Sequence, residues 1–307
     1  MTSLRPILAM RLSGNLQGMG WMLLTTMMIV SMHTFIRQVT PELHPFEVAF
    51  FRNLFGAPIA VALIAVYGRQ VFRTERIRIH VVRSLGHVSA MMMFFLGIST
   101  TQLATANALG FAAPLFASAL AMVFLGERFR WRRWGALMFG FAGALVILRP
   151  GFIEIGTGPL LILCSSFVWG TILVVIKALG RHDAPPTIIV YMVLMMTPLS
   201  LIPAAFVWTW PTWHQLGLMF VMGMVGTAGH LTLAQALRLA DTAVVLPIDF
   251  FRLVWASALG VLIFSEIPDL FTWVGGTMIF AGATYLAVRE RSEARTAQRA
   301  AVPTPSR

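Results

Sequence analysis

The sequence predicts an all-α integral membrane protein with ten transmembrane helices arranged as two inverted five-helix repeats. Three observations carry that expectation: scarce charge, ten long apolar runs, and a self-similarity between the halves at a nearly fixed offset. Of 307 residues, 58% are hydrophobic and only 11% charged, with a mean hydropathy of +0.79. A soluble domain carries about 25% charged residues. So few charges cannot cover a water-facing surface of this size, so lipid must serve as part of the solvent.

A spanning helix needs about 20 predominantly apolar residues. In the first half the runs are Met19–Ile36, Phe46–Tyr67, Ser84–Thr101, Ala104–Leu125 and Trp131–Leu148. The second half gives Gly158–Ile176, Thr187–Trp208, Leu216–Leu237, Val244–Phe264 and Phe271–Val288. The stretch from Ser84 to Leu125 is twice one span, so it is divided at Thr100-Thr101-Gln102. The first run is too long for a cleaved signal peptide and lacks a small-residue cleavage motif. Residues 1–15 read as a cytoplasmic N-terminal segment, 16–150 as the first repeat, 151–289 as the second, and 290–307 as a disordered basic cytoplasmic tail.

Basic residues set the orientation, because they collect in cytoplasmic connectors. With the N-terminus inside, 19 of the 23 basic residues fall on the cytoplasmic side and two, Arg37 and Arg149, outside. Arg52 and Arg252 lie within spans. Both termini are therefore expected in the cytoplasm and the chain in a bacterial-type inner membrane. The net charge of +11 suits anionic headgroups, and nucleic acid is not an expected partner. A single cysteine, Cys164, excludes an internal disulfide and any multi-cysteine metal site. No cofactor or metal is expected, and the sequence does not fix the oligomeric state, although a monomer suffices.

Phe116–Glu127 aligns with Trp255–Glu266 at an offset of 139, which also carries Trp134 onto Trp273. Earlier in each half the offset is 140, pairing Arg37 with Lys177, Pro45 with Pro185 and Pro58 with Pro198. Apolar matches come cheaply, whereas shared Pro, Glu, Trp and basic positions do not. Five spans per half invert the second repeat, an architecture that places a substrate site where the halves meet.

With ten spans and these repeats in place, the chain resembles the EamA-type members of the drug/metabolite transporter superfamily. Ala113-Pro114, Leu125-Gly126-Glu127, the basic connector Arg128–Arg133 and Leu148-Arg149-Pro150-Gly151 carry the resemblance, which covers about residues 15–289. In the second half Ser265-Glu266 stands for Gly-Glu, and Arg252-Leu253 for Ala-Pro. The resemblance implies a transporter of a small organic metabolite and no enzyme. Walker, metalloprotease and nucleophile-elbow motifs are missing from the sequence.

Ionisable groups at mid-bilayer cost at least about 2.5–3.5 kcal/mol, so they mark partners or wet cavities. Arg252 lies eight residues into the ninth span, with Asp249 one turn earlier. Either this pair binds substrate or it is a self-satisfied salt bridge. Arg52 lies in the second span beside Asn53, with Glu47 a turn away as its candidate structural partner. Asn107, His230, Gln235, Trp169 and Tyr191 complete the candidate binding set, each with a helix-packing or interface-anchoring alternative. His33 and His230 are candidates for proton coupling, or simply for hydrogen bonds to neighbouring backbone. His87 reads as an interfacial histidine.

Glu127 and Glu266 stand at matched connectors and read as structural caps. Pro58, Pro114 and Pro198 read as structural bends, the first and third matched between halves. Glycines 135, 140 and 143, matched by 275, 276 and 282, allow close helix approach.

The favoured expectation is transport of an amino acid or other carboxylate-bearing compound, in the export direction, by alternating access. The alternatives are a proton-coupled importer of a vitamin or nucleotide-type metabolite, and a receptor or scaffold without flux. Reporters fused after Arg76, Arg132 and in the tail are expected to read cytoplasm, and those after Gly151 and Trp210 outside. A cytoplasmic signal at Gly151 would require an even number of spans per half and end the inverted-repeat reading.

Overall fold

The computed structural model describes residues 4–124, 131–152, 154, 156–179, 183–240 and 242–300. The chain is an all-α membrane protein. In the first half run α1 (Leu4–Val39), α2 (Pro45–Leu54), α3 (Ala57–Tyr67), α4 (Ile77–Ser99), α5 (Leu103–Gly110), α6 (Ala112–Phe124) and α7 (Trp131–Leu148). The second half continues with α8 (Thr157–Leu179), α9 (Pro185–Ala205), α10 (Trp213–Leu239), α11 (Thr242–Asp249), α12 (Phe251–Phe264) and α13 (Leu270–Ala300).

Among the described residues, eight stretches are long and apolar enough to cross a bilayer. They are Gly14–Val39, Pro45–Phe72, Ile77–Ser99, Leu103–Leu120, Pro186–Ala205, Trp213–Leu239, Val244–Phe264 and Leu270–Arg289. Between the fourth and fifth stand α7 and α8, the latter with a shorter apolar part, Thr157–Ile172. Large apolar side chains cover the outside of the bundle: Val66 and Leu262 are exposed, as lipid contact requires.

Helix pairing follows the repeat. α1 packs along α10, and the corresponding helices of the other half, α8 and α4, pack together in the same way. α2 lies on its own counterpart α9, and α7 on its counterpart α13. The α7–α13 contact is a glycine seam. A Cβ on Gly275 would stand 2.4 Å from the Gly143 carbonyl oxygen, and one on Gly143 2.6 Å from that of Gly275. The small residues predicted to permit close approach do so within one chain. Gly135 is different, with open space around it.

Two spans are broken at matched places. α5 gives way to α6 at Phe111, and α11 to α12 at Phe250, positions that correspond at the 139 offset. At each break the amide turns back by three residues, Phe111 N to Ala108 O (3.2 Å) and Phe250 N to Pro247 O (3.4 Å).

Several expectations change. Pro58 occupies the first turn of α3, after a break at Phe55-Gly56, whereas Pro198 sits inside the unbroken α9. Pro114 likewise falls in the first turn of α6 rather than mid-helix. The two prolines therefore sit differently in their helices, Pro58 just after a break and Pro198 within a continuous helix, and Met196 stands at the 140 offset from Gly56. α4 begins at Ile77, ahead of the apolar run, so buried His80 and Arg83 belong to the helix. α13 continues to Ala300, through residues 290–300 expected as disordered. That stretch is rich in Ala, Glu and Arg and free of Gly and Pro, a strong helix-forming composition. Ser265 takes the left-handed conformation (φ 55°) that ends α12, the place where glycine is usual. Glu127 lies outside the described residues.

Gly275→Leu is expected to destabilise the protein by about 1–3 kcal/mol or more through overpacking, seen as a lower melting temperature in detergent. Gly135→Ala should leave it unchanged. Equal behaviour of the two variants would refute the seam.

Candidate functional site

The two broken spans face a common cavity of about 400 Å³ at the centre of the helix pairs. Gly110, Ala113 and Pro114 line it from the first break, Asp249 and Arg252 from the second. α1, α2, α4, α8 and α10 supply the remaining wall. The volume lies in the lower part of the range of about 300–1,000 Å³ typical of small-molecule sites. Freed backbone at membrane depth is tolerated where it borders such a cavity.

Of the predicted binding residues, Arg52, Asn107, Trp169, His230, Asp249 and Arg252 line this one cavity, as does His33. Gln235 and Tyr191 stand elsewhere. Gln235 is five residues past His230 and so points from another face of α10, while Leu233 and Leu237, three and seven residues on, reach the cavity. Tyr191 stacks on His80 (4.8 Å) and donates its hydroxyl to Phe72 O (3.1 Å). There His80 Nε2 and Thr74 Oγ1 both donate to Asp183 (2.9 and 3.0 Å), joining the halves at that end of the bundle.

Arg52 is 4% exposed, and its Nη1 donates to Asn53 Oδ1 (3.1 Å). Asn53 is held in turn by Ser200, to which its Nδ2 donates (3.1 Å). The predicted Glu47–Arg52 contact does not form. Glu47 instead accepts from the backbone and hydroxyl of Thr209 (3.2 and 3.0 Å). Among the described residues no carboxylate pairs with Arg52. Arg252 does pair with Asp249, and its guanidinium lies 4.7 Å over the Phe111 ring. Arg252 Nε remains buried without a partner.

His87 was missed as a site residue. Because α4 starts at Ile77, His87 falls midway along the helix, packs against the Trp169 ring in a tilted arrangement (4.5 Å) and lines the cavity. Its nearness in sequence to the basic connector disguised it; counted from the true start of α4, it is a mid-span histidine. Aromatic Phe94 and the serines 165 and 166 were also missed and line the same wall. Among the described residues no cluster of His, Cys, Asp and Glu suits a metal ion.

At one end of the bundle α1, α5 and the connector after α12 are tied together. Arg37, at the end of α1, pairs with Glu266 from the connector after α12 and stacks over Phe264 (4.9 Å). Glu266 also accepts from Leu103 N (3.0 Å), the first amide of α5. The sequence reading had Glu266 as a cap; it caps a helix of the opposite half. His33 and Asn107 lie one turn below Arg37 and Leu103 respectively, at the cavity roof.

A membrane-embedded cavity between matched, broken helices of two repeats defines the chain as a transporter of small metabolites. Residues 16–149 and 156–288 each match the EamA-like transporter family, and the chain belongs to that family. It is 27% identical over 274 residues to an S-adenosylmethionine uptake transporter of Rickettsia bellii, a match spanning 89% of this chain and 94% of that protein. It is 26% identical to a riboflavin transporter of Vibrio cholerae over 91% of this chain and 96% of that one. A solved crystal structure shares the fold, with a TM-score of 0.61 at 20% identity, covering 91% of this chain and 98% of the other.

Arg252→Ala is expected to fold and insert but to lose transport by at least about tenfold, since it removes a cavity-lining guanidinium and with it a charge-assisted hydrogen bond to a carboxylate. Asp249→Asn should do less damage, because it leaves the cation available. Normal flux in vesicles from both single variants would make the pair a structural feature.

Proposed function

We propose that this protein is a secondary or facilitative transporter of a carboxylate-bearing, amino-acid-type metabolite carrying a flat ring, working by alternating access. S-adenosylmethionine is the probe of that class. The observation that carries the reading is Arg52: a buried guanidinium facing the cavity with no carboxylate partner among the described residues. A guanidinium offers a planar, two-donor match to a carboxylate. Asp249 supplies the opposite sign for an ammonium or sulfonium, and Trp169 and Phe94 offer ring faces to a cation or a flat base. The name of the Rickettsia relative supports the same class.

In this reading α7 and α8 are the fifth and sixth of ten passes, and both termini are cytoplasmic. The clasp Arg37–Glu266–Leu103 then lies at the external end of the bundle. Direction follows the ligand's net charge. The inside-negative potential is worth about 2.3 kcal/mol per charge per 100 mV. It draws in a ligand of net positive charge such as S-adenosylmethionine and drives out a net anion, so a proton is needed only to import the latter.

A second reading, uptake of a neutral ring vitamin, is favoured by the aromatic and histidine lining and by the riboflavin relative. Flux of labelled S-adenosylmethionine and of riboflavin into proteoliposomes, with voltage and pH gradients set separately, separates the two. Saturable S-adenosylmethionine uptake, falling about tenfold or more in Arg52→Gln through loss of a charge-assisted bond of about 1.5–3 kcal/mol, is the expected result. Riboflavin flux indifferent to Arg52→Gln would replace the first reading by the second. Binding without flux of either compound would make the chain a receptor.

A further inference from the structure

The hydrogen bonds of the cavity wall fix which of its polar atoms still have something to offer. Asn107 has one neighbour of unambiguous character, the Leu103 carbonyl oxygen at 2.8 Å, which can only accept. The atom of Asn107 facing it is therefore the amide nitrogen, and the amide oxygen must be the atom 2.9 Å from His33 Nδ1. An amide oxygen cannot donate, so the proton in that contact sits on His33 Nδ1. The ring is held by this bond and by the tilted Phe94 ring, whose centroid lies 4.7 Å away. Among the described residues no carboxylate pairs with His33 to balance a second proton. Nε2 then carries a lone pair, on a ring that lines the cavity.

The nearby hydroxyls are spent in the same sense. Ser165 Oγ donates to Ala90 O (2.7 Å) and Ser166 Oγ to Leu109 O (3.3 Å). Both line the cavity, and with their protons engaged they present only lone pairs to it. Six of the polar lining residues thus divide. Arg52 and Arg252 donate, whereas His33 Nε2, the two serine oxygens and Asp249 accept. A carboxylate satisfies the first group. The second group demands N–H donors, which a flat ring bearing an exocyclic amine supplies.

We propose that Asn107 is a positioning residue for substrate recognition. It holds His33 as the Nδ1–H tautomer so that Nε2 accepts an N–H of the ligand's ring. The donor half of this inference rests on the ring-bearing substrate class proposed above; the tautomer half stands on the protein alone. Asn107 itself need not touch the ligand. Its effect is transmitted through the imidazole, and a side chain that merely filled space would not set a proton's position.

The tautomer is read by two-bond proton–nitrogen NMR on detergent-solubilised full-length protein with ¹⁵N-labelled histidine, the His33 signals being assigned by their loss in His33→Gln. The wild type is expected to show a protonated Nδ1 and a bare Nε2. Asn107→Ala should release the ring to a mixture of tautomers. Asn107→Asp, which keeps the size and an acceptor, should add a proton at Nε2. A bare Nδ1 or a doubly protonated ring in the wild type overturns the inference, as does a spectrum unchanged in both variants. Should Asn107→Ala fail to fold, the wild-type and Asn107→Asp spectra decide alone.

The donor half is read by competition between S-adenosylmethionine and its 6-deamino analogue, in which a hydrogen replaces the exocyclic amine and no new ring N–H is created. The wild type is expected to favour the amine about tenfold, the worth of one net hydrogen bond, and Asn107→Asp to lose that preference or reverse it. An identical ratio in the two proteins overturns ring recognition by Nε2. If neither compound is taken up, the substrate class proposed above falls, ring recognition by Nε2 falls with it, and the free-protein spectrum still decides the tautomer.

Discussion

A backbone amide inside a bilayer has no water to fall back on, so a helix that breaks there must find partners for the groups it frees. This chain breaks two spans at matched places, Phe111 and Phe250, besides the break at Phe55-Gly56, and the matched breaks bring Asn107, Asp249 and Arg252 to the cavity. Each break is short, with its amide bonded back three residues. Both breaks border the cavity. Phe111 also supplies the face on which Arg252 rests, and Arg252 stands where the first half has Ala113. A common scaffold is thus loaded asymmetrically: the second-half break brings an ion pair, and the first-half break leaves room for it.

The fold was legible because lipid leaves few choices. Long apolar runs can only be helices, and the offsets of 139 and 140 identify which helices of the two halves correspond. Arg52, Asp249 and Arg252 were legible for the same reason, since a charge in an apolar run must meet a partner or water. What stayed hidden was everything that depends on contacts distant in sequence. Glu47 looks like a partner for Arg52, five residues on, until the fold brings up Thr209 from 162 residues away. That one competing contact turns Arg52 from half of an interfacial pair into an unpaired cation at the cavity.

Helix starts were the other blind spot. Hydropathy marks where a segment enters lipid, while the helix itself begins wherever its backbone is first satisfied. α4 begins seven residues before its apolar run, and this shift moved His87 from a helix end to the cavity. The reverse error placed Gln235 in the site. Proximity in sequence to His230 suggested a shared face, but a five-residue step turns about 500° around a helix, which leaves the side chain well off that face.

The clasp and the cavity are linked through helix geometry. Arg37 and His33 are four residues apart on α1, and Leu103 and Asn107 four apart on α5, so each pair is stacked on one helix face. Glu266 ties the upper members together, and the His33–Asn107 bond ties the lower ones. Asn107 closes the loop by donating to the Leu103 carbonyl, in the residue whose amide Glu266 accepts. α1 and α5 are therefore cross-bonded twice within one turn, once at the end of the bundle and once at the roof of the cavity. The repeat offset carries Arg37 to Lys177 and Glu266 to Glu127, so opposite charges recur at matched positions of the other half. Two halves that differ in their cavity residues thus share one pattern of charge at their ends.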